Sequence, residues 1–300
     1  LRFLLGGDIL RGARLKLTWS NNMTEPNVPD HSSVFSLRQW IAHLERTGRL
    51  AKTQIGVPLN FTLAAVSKKL DGIQATLFPK PGDHETSVVS GIVSRREWIA
   101  ETIGVKEDQL LKHFRDAVNN PIPWQEIENA PAQEVQYRKN IDLNRLLPIP
   151  VHNEHDNGKY ITAGLVIARN PQTGDQNVSI NRLQISGKDR LGILILPRDL
   201  HKFFDMAEKT GSDLSVAIAI GVDPITLLAS QAIVPTNTDE LMVAGGLMKQ
   251  PLKVVKCLTN DVRVPADAEV IIEGRLIADL REMEGPFGEF PQYYGPAGER

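Results

Sequence analysis

Between residues 161 and 273, six runs rich in Val, Ile and Leu follow one another, each bounded by turn residues: 161–169, 176–186, 190–196, 215–220, 252–259 and 268–273. Runs of that length and composition read as strands. Two helical patterns interrupt them: 199–210, with Leu200, Phe203, Phe204 and Ala207 at helical spacing before Gly211, and 239–248. Strands that outnumber the helices between them favour an antiparallel sheet or barrel over a doubly wound sheet.

The chain before this region has a different texture. Ser36-Leu37-Arg38-Gln39 is a capping box, followed by Leu37, Trp40, Ile41 and Leu44 at helical spacing and by Gly48 as a stop. Ser94-Arg95-Arg96-Glu97 is a second, opening a helix with Trp98, Ile99 and Ile103 on one side and Gly104 at its end. Residues 106–118 repeat the pattern through Leu110, Leu111, Phe114 and Val118, and short β-like runs at 75–78 and 87–93 lie between. This is an α/β segment. Pro121, Pro123, Pro131, Pro148 and Pro150 punctuate the crossing into the strand region. The expected organisation is therefore an N-terminal α/β domain over 23–120 and a strand-rich domain over 121–300. Residues 1–22 are basic and acid-poor, with Arg2, Arg11, Arg14 and Lys16 against Asp8. They read as translated upstream sequence, the alternative being a targeting segment.

With 41% hydrophobic and 23% charged residues and a net charge of −2, the 300-residue chain is of globular type and has no basic footprint for nucleic acid or a membrane surface. No run approaches the roughly 18 apolar residues of a membrane span. The single Cys257 excludes an internal disulfide framework and fits a reducing compartment, so a cytoplasmic protein is expected.

Glu284-Gly285-Pro286-Phe287-Gly288-Glu289-Phe290 holds two carboxylates in a loop stiffened by two glycines and a proline. Two acids so placed can divide into a proton donor and an orienting base, whereas a solvated Gly-Pro turn would carry them incidentally. A cationic partner is needed, and Arg182 in Asn177-Val178-Ser179-Ile180-Asn181-Arg182 is a candidate, because a guanidinium fork matches a carboxylate. Strict alternation puts Asn177 and Arg182 on opposite faces, so they share a site only through a twist, a bulge or a ligand across the strand end. Asn177, Asp199 and Glu240 are hard oxygen donors suited to Mg²⁺ or Mn²⁺. Singly, each has a plainer reading: an edge strand, an N-cap, and a first-turn acid after Asn237-Thr238-Asp239. His152 to Tyr160 contains His-x-x-His but also Asp156-Asn157-Gly158, a turn signal, and a turn entering the next strand is expected. Neither Gly-x-Gly-x-x-Gly, Walker A nor His-Glu-x-x-His occurs.

Four stretches in order, Asn177 to Arg182, Leu196-Pro197-Arg198-Asp199, Glu240 to Gly246 and Glu284 to Glu289, together resemble the UbiD family of prenylated-FMN-dependent (de)carboxylases. Ile220 to Pro224, Glu269 to Gly274 and His155 to Ile161 support the likeness. The resemblance implies an α+β fold, an N-terminal α/β segment followed by a split β-barrel that binds the flavin. It also implies a C-terminal α/β domain, which is expected to be missing from this chain. It implies reversible, non-oxidative decarboxylation of an aromatic or α,β-unsaturated acid. Glu289 would donate the proton, Glu284 would pair with Arg182, and Arg182 would hold the flavin edge and the substrate carboxylate. Burial near Glu284 would keep Glu289 protonated. Ser179, Ile180, Asn181, Leu194, Ile195, Leu196, Arg198 and Asp199 would line the cofactor. Asn177, Glu240 and Asp199 would bind Mn²⁺ or Mg²⁺, with K⁺ as a further ion; relatives often carry a His where Asp199 stands, and His201 is the alternative ligand. A flavin prenyltransferase supplying the cofactor and a homo-oligomer of the full-length protein are implied partners. The alternatives are a truncated, non-catalytic fragment that binds flavin and metal, and a plain FMN-binding reductase-like barrel, which would leave Arg182 and the loop acids without a role.

Overall fold

The protein's structure, a computed structural model, describes residues 36–235 and 238–300; the expectations for residues 1–22 and for Asn237 lie outside them. The chain opens with helix α1 (Leu37–Arg46), whose predicted capping box forms: Gln39 N–H donates to Ser36 Oγ at 3.3 Å and Ser36 N–H to Gln39 Oε1 at 3.1 Å. Its apolar stripe buries Leu37, Trp40 and Leu44. Strand β1 (Leu50–Lys52) pairs in parallel with β2 (Ala75–Phe78) across helix α2 (Thr62–Leu70), which sequence reading missed, and β3 (Val88–Ser90) adds antiparallel to β2. Helix α3 (Arg96–Ile103) does not use its predicted box. Arg95 is the N-cap and bonds no side chain to the helix, Glu97 pairs with Arg95 instead, and Ser94 Oγ is buried without a partner.

Helix α4 (Leu110–Asn119) leads into the proline-punctuated crossing, which contains β4 (Gln125–Glu126) and helix α5 (Leu143–Leu146). The first part of this crossing is stitched down. Ile122 N–H donates to Met242 O at 3.0 Å, Gln125 N–H to Leu252 O at 2.9 Å, and Ile127 N–H to Val254 O at 2.8 Å.

Beyond it come β5 (Tyr160–Ile161), β6 (Leu165–Arg169), β7 (Gln176–Ile180), β8 (Leu183–Ile185), β9 (Leu191–Ile193), helix α6 (Asp199–Glu208), β10 (Leu214–Ile220), and helices α7 (Pro224–Ala229) and α8 (Glu240–Met248). Strands β11 (Lys253–Lys256), β12 (Arg263–Pro265) and β13 (Val270–Leu276) follow, and β14 (Met283–Glu284), β15 (Phe287–Gly288), β16 (Tyr294–Gly295) and β17 (Gly298–Glu299) close the chain as two nested pairings.

The centre is an antiparallel sheet ordered β13-β10-β6-β7, with Leu165 opposite Ile180 and Ala219 opposite Leu165 in register. Both faces are covered. Leu165, Ile167, Val178, Ala217 and Ala219 pack against α7, α8 and β11, whereas Val166, Ala168, Val216 and Ile218 pack against Leu200, Phe203, Phe204 and Ala207 of α6. Two-sided burial explains why these strands read as near-continuous apolar runs.

The α+β class holds, but the expected barrel is not closed among the described residues. Two predicted strands are each cut in two, at 162–164 and at Asn181-Arg182, and the outer pieces leave the main sheet to form a second one ordered β5-β8-β9. The third predicted strand ends at Ile193, short of Leu196.

Candidate active site

The break after β7 decides where Arg182 points. Because the strand ends at Ile180 and β8 belongs to another sheet, Arg182 is freed from the alternation that governs Asn177. Its guanidinium reaches the nested pairings at the end of the chain. Nε donates to Glu284 Oε1 at 2.9 Å and Nη2 to Oε2 at 2.7 Å, a forked pair, while Nη1 donates to Glu289 Oε1. The Phe287 ring lies 5.3 Å from the guanidinium carbon, and Tyr160 packs on Phe287 at 4.6 Å.

The two acids are not equivalent. Glu284 is 1% exposed and Arg182 9%, whereas Glu289, where the chain reverses after β15, is 26% exposed. Burial opposes charge on Arg182, but the hydrogen bonds and charge of Glu284, then the charge of Glu289, outweigh it and raise its pKa. Burial, with the Glu284 charge, also pushes the Tyr160 hydroxyl upward. The guanidinium lies between the carboxylates. Gly285 makes the turn possible, with φ at +84°, and its N–H donates to Gln184 Oε1 at 3.0 Å.

Asn177 and Glu240 meet across two elements. Asp239 caps α8, and Glu240 at its first turn points inward, accepting from Asn177 Nδ2 at 3.0 Å and from Val178 N–H at 2.7 Å. Glu240 is 4% exposed and touches no cation among the described residues. Burial, with the Asp239 charge, pushes its pKa up to about 8. A buried carboxylate beside an amide oxygen, with no counter-ion, suits a hard divalent cation.

The expected third ligand, Asp199, is engaged within its own helix. Asp199 pairs with Lys202 Nζ at 2.8 Å, one helix turn on, and His201 Nδ1 pairs with Asp205 at 3.1 Å. Arg198, not Asp199, is the N-cap of α6, so Asp199 lies within the helix and its i,i+3 neighbour claims it. Among the described residues no three His, Cys, Asp or Glu side chains gather as a metal site. The His152–His155 stretch is a turn, as expected.

Three of the expected cofactor-lining residues, Ser179, Asn181 and Leu194, are joined by hydrogen bonds. Ser179 Oγ bonds Asn181 Oδ1 at 2.8 Å, and Asn181 Nδ2 donates to Leu194 O at 2.9 Å, tying the end of β7 to the irregular segment 194–198. Ile180 and Leu196 are left exposed, and Arg198, at the start of α6, forms no ion pair among the described residues. Exposed apolar side chains beside a free cation at a helix start suit a flat ring system bearing a phosphate. A cavity of about 280 Å³ opens elsewhere, between Trp124, Gln176, Asp239 and Arg263. Its lining includes Gln176 and Asp239, the sequence neighbours of Asn177 and Glu240, but neither Arg182 nor the loop acids, so the chemistry of the side chains, not concavity, marks the site.

Sequence reasoning missed Gln184, Tyr160 and Phe287 as parts of the site. Tyr160 and Phe287 were visible only as members of motifs, and Gln184 gave no signal.

Two family models cover most of the chain, "3-octaprenyl-4-hydroxybenzoate carboxy-lyase N-terminal domain" at residues 41–118 and "3-octaprenyl-4-hydroxybenzoate carboxy-lyase Rift-related domain" at 125–300. The chain belongs to the UbiD family. It is 39% identical to the anhydromevalonate phosphate decarboxylase of Methanothermobacter thermautotrophicus over 71% of its own length and 49% of the relative's. It is 33% identical to a phenolic acid decarboxylase of Bacillus subtilis over 86% of itself and 58% of that protein. Among solved structures, the UbiD-class enzyme HmfF of Pelotomaculum thermopropionicum, in an evolved dimeric form with prFMN, superposes with a TM-score of 0.87 at 48% identity over 89% of this chain and 63% of that one. The closed form of the vanillic acid decarboxylase of Sedimentibacter hydroxybenzoicus gives 0.85 at 30% over 90% and 60%. The chain thus spans about half to six-tenths of the length of these relatives. No described helix is long and apolar enough to cross a membrane.

Proposed function

We propose that this chain carries the site of a UbiD-type carboxy-lyase, which reversibly and non-oxidatively decarboxylates an aromatic or α,β-unsaturated acid with prenylated FMN and a divalent metal. The observation that carries the reading is the division of one buried guanidinium between a sealed carboxylate, Glu284, and a half-open one, Glu289. UbiD-class HmfF was solved with prFMN, which supports the cofactor. Relatives described as phenolic acid and anhydromevalonate phosphate decarboxylases support the reaction class.

Asn177 and Glu240 would hold Mn²⁺ or Mg²⁺, with Asp199 joining once it leaves Lys202, and K⁺ as a further ion. Ser179, Ile180, Asn181, Leu194, Ile195, Leu196 and Arg198 would line the flavin. When bound, the cofactor supplies the electron sink that a carboxylate on an sp² carbon needs before CO₂ can leave. The chain's own residues do the rest. Arg182 keeps its fork on Glu284 and turns Nη1 from Glu289 to the incoming carboxylate. Glu289, released and in reach of solvent, takes up a proton and delivers it to the carbon that has lost CO₂. The balance is R–COO⁻ plus H⁺ giving R–H plus CO₂. Glu284 keeps the guanidinium plane fixed through its forked pair. A cytoplasmic setting, a flavin prenyltransferase as cofactor source and a homo-oligomer complete the proposal, as does the division into 23–120 and 121–300.

The test is CO₂ release from hydroxybenzoates and cinnamate-like acids by protein reconstituted with prenylated FMN and Mn²⁺. Turnover that needs the cofactor supports the reading. The pairing of Asp199 with Lys202 favours a second reading, a fragment that binds flavin phosphate and metal without turnover. Native mass spectrometry beside the CO₂ assay separates them, since binding without turnover is the fragment's signature.

A further inference from the structure

The loop that bears Glu284 and Glu289 is held by more than its own two-residue pairings. The turn at 152–158, more than a hundred residues earlier, lies across it and takes hold of its backbone. Asp156 is the tie. Its Oδ1 accepts from Gly288 N–H at 2.8 Å, and its Oδ2 accepts from Asn153 N–H at 2.8 Å and Asn153 Nδ2 at 3.3 Å. Asn157 N–H donates to Pro286 O at 2.9 Å. Gln184, buried on β8, closes the circuit with both ends of its amide: Oε1 accepts from Gly285 N–H at 3.0 Å and Nε2 donates to Asn157 O at 2.5 Å.

Three backbone groups between the two acids, the N–H of Gly285, the C=O of Pro286 and the N–H of Gly288, are thus bonded by the turn and by Gln184. Contact is close: a Cβ at Gly288 would lie 2.5 Å from Asn153 Nδ2 and would push that side chain off the loop. Tyr294, paired with Gly288 across the hairpin, also touches the turn, its Oη accepting from His155 N–H at 3.3 Å. Asp156 has no salt-bridge partner among the described residues. Its carboxylate is spent on two backbone N–H groups and the Asn153 amide, where charge makes hydrogen bonds strong. A proton donor must sit within a few tenths of an ångström of its working place, and such precision comes from a supporting shell on fixed elements.

We propose that Asp156, with Gln184, is a positioning residue: the 152–158 turn is a strap that sets where the hairpin presents Glu289 to Arg182. The proposal rests on the reading of Glu289 as proton donor for its consequence in turnover, but the strap itself can be tested without any activity.

The test uses the 300-residue chain with Asp156→Asn, which keeps the shape but turns an amide NH₂ toward one of the two N–H donors. Gln184→Met serves as a second variant if the first does not fold. Asp142→Asn, at the cap of α5, is the control for general stability loss. Hydrogen exchange read by mass spectrometry is expected to speed up at least tenfold in peptides covering 284–290 of either strap variant, with β6 and β10 unchanged and with no local change in the control. In reconstituted enzyme the same variants should lower kcat at least tenfold with KM within twofold, and displace the pH profile of kcat. Exchange at 284–290 that stays at the wild-type rate, or that rises equally throughout the protein, overturns the strap. Faster local exchange with unaltered kcat and pH profile overturns its positioning role. Wild-type protein without turnover, but with the local exchange effect intact, would count against the enzyme reading and leave the strap standing.

Discussion

Arg49 and Arg182 are held alike up to a point. Arg49 forks onto Glu101, with Nη1 to Oε2 at 2.5 Å and Nη2 to Oε1 at 2.9 Å, and lies between the Trp40 and Trp98 rings at 5.9 and 5.7 Å. Arg182 forks onto Glu284 and lies over Phe287. They differ in the third partner. For Arg49 it is the buried His43 ring at 2.8 Å, a neighbour on the packed helix α1, and Arg46 adds a second cation. For Arg182 it is another carboxylate, Glu289, on a hairpin open to solvent. The first arrangement is closed and has cations to spare. The second has one acid more than its guanidinium balances; among the described residues the only other cation paired with Glu284 is Arg300, with Nε at 4.0 Å. Under the proposed function, the third group is what would tell a structural ion pair from a site that exchanges a partner.

The largest expected effect on stability is Arg182→Ala. Leaving Glu284 buried and uncompensated should cost about 3–5 kcal/mol in urea denaturation, against a smaller loss for Arg49→Ala, where His43 still donates to Glu101. Equal losses would break the comparison.

Next comes pH. Glu101 is held down to about 2, because His43 and Arg49 outweigh its burial. Its contribution is therefore present above the unfolded value near 4.5 and is lost as pH falls from about 4.5 to about 2. Glu240 has the opposite sign. Its folded pKa is raised to about 8, so the native state keeps a proton that the unfolded chain has released. Stability should fall as pH rises from about 4.5 to about 8 in metal-free protein. Glu101→Gln should flatten the acid limb and Glu240→Gln the other; unchanged limbs in urea titrations would contradict the assignments.

Metal is a smaller lever. Mn²⁺ at about 100 times its Kd should raise stability by about 2.7 kcal/mol, and Glu240→Gln should abolish the rise in thermal midpoint. Asp199→Asn sharpens the point: a retained rise leaves Asp199 on the helix surface with Lys202, and a lost one brings it into the shell. The smallest effect is Glu289→Gln, which should cost less than about 1 kcal/mol, since Glu289 is partly exposed and Arg182 keeps its fork on Glu284.

The capping box of α1 and the doubly buried strands β6 and β10 were legible in the sequence because they rest on near neighbours and on hydrophobic patterning. The box at Ser94 has the right letters, yet Glu97 is drawn to Arg95. The runs at 161–169 and 176–186 look continuous, and only three-dimensional closure shows that each changes sheet. Arg182 and Glu284 stand 102 positions apart, a pairing no local spacing reveals; the ordered motifs of the family carried it. Asp156 read as the start of an Asp-Asn-Gly turn, and nothing local says which loop that turn grips.

The most direct test of the central claim compares wild type with Glu289→Gln after reconstitution with prenylated FMN and Mn²⁺, following CO₂ release and deuterium incorporation at the carbon that loses the carboxylate. The expected result is a loss of about 10²–10⁴-fold in turnover with cofactor binding retained. Turnover and deuterium incorporation at the wild-type rate in the Gln variant would contradict it.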